Sequence, residues 1–87
     1  MKMRQKIYNE IETERAYQDQ QWGDEFDKKN TLNDWVSYMN TYCGQASKMG
    51  TVKEEQRKQL LKAVTIGVAA LERFDTDNGF APRHYDD

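Results

Sequence analysis

The sequence predicts an all-α fold, a three-helix protomer with a long antiparallel helical hairpin that assembles into an oligomer. Apolar residues recur at helical spacing in three separate runs, each bounded by glycine or capping signals. The stretch from Ala63 to Leu71 carries no charge, the pattern of a helix apolar on every side and therefore buried on every side. With 87 residues, one cysteine and one histidine, the chain can build neither an internal disulfide nor a structural zinc site, so association between copies is the remaining stabiliser.

The first helix is expected over residues 2–21. Met3, Ile7 and Ile11 recur every four residues among Lys, Glu, Gln and Arg. Continued at the same spacing, that stripe passes through Arg15 and Gln18 before returning to an apolar residue at Trp22. Polar side chains on a face that began as core need partners, either on a neighbouring helix or in a ligand. Gly23 is expected to end the helix in a left-handed cap, with Asp24 to Lys29 as a charged connector.

The second helix is expected over residues 32–49. Thr31 followed by Asp34 has capping-box spacing, and Leu32, Trp35, Val36, Met39, Tyr42, Cys43 and Ala46 keep to one face. Cys43 reads as a small core residue. The third helix is expected over residues 52–75, with Thr51 and Glu54 repeating the capping spacing. Gly67, Ala69 and Ala70 would let another helix approach closely, either a second copy or a covering helix of a monomeric bundle. Residues 76–87 form a tail in which Phe80, Arg83, His84 and Tyr85 surround a stiffening proline, and this tail is expected to dock on a surface.

A net charge of −2, with both signs mixed along the chain, argues against broad binding to a nucleic-acid duplex. Arginines gathered from several subunits could still hold a small anion. No apolar stretch is long enough for a signal peptide or a membrane span, so the expected partners exclude membrane and the expected location is cytoplasmic. No glycine-rich phosphate loop, Cys–His pair or nucleophile with an identifiable base is present, so no catalytic residue, metal ligand or cofactor is expected. Glu10, Glu12, Glu14 and Asp19 keep a metal-dependent nucleotide hydrolase as an alternative, although the later helices lack matching acid pairs. A structural or regulatory interaction module is the other alternative.

The densest group of unusual residues runs from Glu14 to Trp35, where both tryptophans stand among Arg, Gln, Asn and Asp. It reads as a ligand-binding corner or as an elaborate structural cap. As a binding corner it would stack a base on Trp22, Trp35 or the tail aromatics Phe80 and Tyr85, with phosphate contacts from Arg15, Arg83 and His84 and an amide contact from Gln18.

The run Ile11-Glu-Thr-Glu-Arg-Ala-Tyr-Gln-Asp-Gln-Gln-Trp-Gly23, followed by Asn30-Thr31 and Asp34-Trp35, resembles the Glu-Arg-x-x-Gln-Asp-x-x-Trp-Gly opening of the first family of Thoeris anti-defence proteins and of related helical-hairpin proteins that counter cyclic-nucleotide (CBASS) immunity. The resemblance covers roughly the first half of the chain. It implies a non-enzymatic sponge, commonly a hexamer built from dimers, that sequesters a signalling nucleotide such as glycocyclic ADP-ribose or a cyclic trinucleotide. The matching positions are Glu14, Arg15, Gln18, Asp19, Trp22, Asp34 and Trp35. The connector departs from the pattern: those proteins tend to be rich in His and Asp there, whereas this chain reads Asp24-Glu25-Phe26-Asp27-Lys28-Lys29-Asn30.

Overall fold

Gly23 decides the shape of the first helix. Its backbone, at φ 78° and ψ 176°, lies where essentially only glycine is found, so the helix breaks there and resumes at once in a new direction. The computed structural model describes residues 2–83, and its elements are α1 (Met3–Lys29, including that break), α2 (Leu32–Ser47) and α3 (Lys53–Asp77). The expected end of the first helix at residue 21 and the open connector after it are thus corrected: Asp24 to Lys29 are helical. An i,i+4 ion pair between Lys28 and Asp24 (3.2 Å) and a tie from Arg73 to Asp24 hold this short piece.

The capping box that opens α2 forms as its spacing predicts. Thr31 accepts from the Asp34 N–H, and the Asp34 carboxylate accepts from the Thr31 N–H at 2.9 Å. The second such spacing does not form a cap. Val52 stands at the N-cap of α3, while the Thr51 hydroxyl turns back toward the Gln45 carbonyl at 3.5 Å. Glu54 and Glu55 in the first turn still complement the helix dipole. At the far end Asn78 is left-handed, and its N–H and that of Gly79 both reach the Phe74 carbonyl, which closes α3 at Asp77.

The third helix is the common partner of the other two. Trp35 of α2 packs with Ile66, Ala69 and Ala70, and Tyr38, Met39, Tyr42 and Phe80 close around them. The contacts run in opposite order along α2 and α3, from Trp35 beside Ile66 and Ala69 to Tyr42 under the Lys62 ammonium at 5.6 Å. The ion pairs between α1 and α3 run in the same order, Glu10 with Arg57, Arg15 with Glu72 and Asp24 with Arg73, and Ile7 and Ile11 share an apolar groove with Leu60, Leu61 and Val64. α1 and α2 make no close backbone approach, so a wedge opens between them with α3 as its floor.

The described residues do not cover α3 on all sides. Ala63, Thr65, Ile66, Ala69 and Ala70 are buried, whereas Leu60, Val64 and Leu71 lie along an exposed flank, Leu71 at 64%. Gly67 meets the Met39 side chain of its own chain. The stripe that opens α1 is likewise outside, Met3 at 72% and Ile7 beside it, and Leu32, Val36 and Cys43 of α2 are exposed rather than core. The surface totals 6618 Å² for a 10.3 kDa chain, against about 5,400 Å² expected of a folded monomer of that mass. The 14.2 Å radius of gyration likewise exceeds the roughly 12 Å expected for this length.

Candidate ligand-binding site

The wedge holds a cavity of about 260 Å³ walled largely by aromatic rings. Trp22 and Phe26 come from α1 at i,i+4 across the Gly23 break, and Trp35, Tyr38 and Tyr42 come from α2 at i, i+3 and i+7. Phe26 lies 6.1 Å from Trp22 and 6.1 Å from Tyr38, nearly parallel to both, while Trp35 meets Tyr38 edge-on at 6.4 Å. Ile66 and Ala69 form the floor, and Arg15, Gln18, Asp27 and Thr41 are the polar residues of the lining.

The polar break in the α1 stripe has its explanation here. Gln18 is only 3% exposed, and its amide donates to Glu14 at 3.2 Å. The Arg15 guanidinium meets three carboxylates: Nε donates to Glu72 at 2.6 Å, Nη2 stands 3.7 Å from Asp27, and Nη1 stands 3.8 Å from Asp19. Its charge is therefore already opposed, and an incoming phosphate would compete with those acids.

Asp27 is the unusual member. It is 8% exposed, and burial pushes its carboxyl above the ordinary carboxylate range, outweighing the opposite pull of Arg15. Nearby Asp24 behaves in the contrary way. Exposed and bonded to Arg73 at 2.6 Å and to Lys28, it is held below its ordinary value. The Tyr38 phenol, reaching the Asn30 Oδ1 at 3.5 Å, is pushed up by burial and by the Asp34 charge.

Of the residues singled out in the sequence, Arg15, Gln18, Trp22 and Trp35 line this one cavity. Phe80 does not; its ring packs edge-on against Phe74 at 5.1 Å, and its neighbour Ala81 bridges to Thr31, so the tail docks on its own core at Phe80 and Ala81. Arg83 is not among the lining residues, and His84 and Tyr85 lie outside the described residues. Sequence reasoning missed Phe26, Asp27, Tyr38, Thr41 and Tyr42. Reading the helical repeat on through Gly23 would have placed Phe26 under Trp22, and the Tyr38 and Tyr42 offsets from Trp35 were available.

Among the described residues no group of three or more His, Cys, Asp or Glu side chains is placed to hold a metal ion, and no helix is long and apolar enough to cross a membrane. Comparison with protein-family models, with curated proteins and with solved structures gave no match.

Proposed function

We propose that this chain binds an immune signalling nucleotide, a cyclic oligonucleotide or cyclic ADP-ribose isomer, and sequesters it without breaking a bond, thereby blocking host antiphage defence. The observation that carries this reading is the cavity itself. Four residues of the Glu-Arg-x-x-Gln-Asp-x-x-Trp-Gly and Asp-Trp motifs, Arg15, Gln18, Trp22 and Trp35, converge on one aromatic-walled wedge of about 260 Å³, large enough to admit a flat ring. The carboxylates beside it, Asp19, Asp24 and Glu72, are engaged by Arg15 and Arg73, which favours holding a ligand over a metal-assisted hydrolysis.

The protein acts as a homo-oligomer, a hexamer by its resemblance, with the α2–α3 hairpin as the body of each protomer. About 260 Å³ is small beside the roughly 300–1,000 Å³ of sites that enclose a whole drug-sized ligand, so sugar and phosphates reach a neighbouring subunit. The surface excess, and the apolar flank of Met3, Ile7, Leu60, Val64 and Leu71, support that association.

Thermal stabilisation against cyclic dinucleotides, cyclic trinucleotides and ADP-ribose isomers, with magnesium, tests the binding. Denaturing the complex and recovering intact nucleotide supports sequestration; recovering cleaved nucleotide sinks it in favour of a hydrolase. Sedimentation as a clean monomer would remove the oligomer.

A further inference from the structure

The cavity offers a ligand two kinds of surface, and they ask for different things. Its rings accept any flat apolar face. Its buried carboxylate is more exacting, because Asp27 is 8% exposed while its nearest cation, the Arg15 Nη2, stands 3.7 Å from Oδ2 and so beyond hydrogen-bond reach. An ion pair at that distance supplies charge without a hydrogen bond, so a carboxylate that lines the cavity keeps acceptor capacity for a donor brought by a ligand. The Arg15 fork is already held by Glu72 at 2.6 Å, which keeps it from closing on Asp27.

We infer that Asp27 selects the base that enters the cavity, accepting hydrogen bonds from the adjacent N1–H and exocyclic amino group of a guanine ring stacked among Trp22, Phe26 and Tyr38. This inference rests on the reading of the cavity as a nucleotide site and names the base it takes, which selects a guanine-bearing cyclic oligonucleotide over an adenine-bearing cyclic ADP-ribose isomer. Two parallel N–H donors match the two oxygens of one carboxylate, as a guanidinium does. Adenine presents an amino group beside a ring nitrogen that is itself an acceptor, and that lone pair faces the carboxylate repulsively. Hypoxanthine keeps the N1–H and lacks the amino group. The charge balance agrees: only Arg15 and Asp27 among the lining residues are charged, and the Arg15 guanidinium already faces Glu72 and Asp19 as well as Asp27, so the cavity favours the donor edge of a base over a phosphate.

The test measures retention of GMP, IMP and AMP, with inorganic phosphate alongside, on the full-length protein and on Asp27→Asn. The expected order is GMP, then IMP, then AMP, with about a tenfold loss or more from first to last, since a hydrogen bond to a charged group is being removed at each step. Asp27→Asn offers one acceptor and one donor, so GMP falls to within about threefold of AMP while assembly is unchanged. Equal binding of GMP and AMP by the native protein, inorganic phosphate binding as well as GMP, or an Asp27→Asn variant that keeps its guanine preference overturns the inference. Those results leave nucleotide binding standing. Failure of every nucleotide, cyclic or linear, to bind removes the proposed function and this inference together.

Discussion

The Phe26 ring lies 6.1 Å from the Tyr38 ring at an interplanar angle of 26°, carrying an aromatic contact from α1 to α2 where the two backbones stay apart. Trp22 is stacked against the same ring, also at 6.1 Å, and Phe26 is itself a wall of the cavity. Phe26→Ala should lower stability by about 1–3 kcal/mol through lost burial and ring contacts, read as a lower urea midpoint. It should also shift Trp22 emission to the red, because Trp22 is already 45% exposed and loses its packing partner. Unchanged emission would mean that the stack does not persist in solution.

Gly23 should tolerate no side chain, although a Cβ there would meet nothing within 4 Å. The objection is conformational: at φ 78° and ψ 176° an L-residue is strained by about 1–3 kcal/mol. Gly23→Ala should therefore either lose that stability or re-aim the Asp24 to Lys29 segment, and in both cases Phe26 and Asp27 leave their places. Denaturant unfolding with near-ultraviolet circular dichroism distinguishes the native geometry from a straightened helix. A variant as stable as the native chain with an unchanged aromatic signal would refute the assignment of strain.

The fold was legible where local rules act alone and obscure where they depend on what packs above. Three helices followed from periodicity, and the Thr31–Asp34 cap from spacing, because both are settled within a few residues. The Gly23 signal was correct as a break and misleading as an end. Whether helix resumes after a glycine depends on distant partners, here Arg73 holding Asp24. Burial was the least legible property: Met3, Ile7 and Cys43 lie on apolar stripes yet are exposed, since a stripe specifies a face and not its cover. Phe80 illustrates the same limit at the site, for an aromatic in a tail reads alike whether it stacks on a ligand or on Phe74.

Gly67 separates a packing role within the chain from one between chains. A Cβ there would lie 3.2 Å from the terminal methyl of Met39 and meet no backbone outside its own helix. A thioether end moves easily, and replacing a mid-helix glycine removes an entropic cost. Gly67→Ala should thus be neutral or stabilise by up to about 0.5 kcal/mol, with unchanged assembly. A fall in subunit number measured by sedimentation would show instead that Gly67 meets another copy.

Acid should act on this protein in two opposing ways. Glu10, bonded to Arg57 at 2.9 and 2.7 Å, and Asp24, bonded to Arg73 and Lys28, titrate below their ordinary values when folded. Their contribution is complete above the unfolded carboxylate range and is lost as pH falls through the lower folded values. Asp27 has the opposite sign: raised by burial, it subtracts stability at neutral pH, and that cost is relieved on acidification as it takes up a proton before its unfolded counterpart. Unfolding titrations at neutral pH and at about pH 3 should show Glu10→Gln and Asp24→Asn less stable than the native chain only at the higher pH. Asp27→Asn should be as stable or more stable at neutral pH, with the difference closing in acid. If Asp27→Asn is instead the least stable variant at neutral pH, the Arg15 charge outweighs burial and the carboxylate is a structural ion-pair partner.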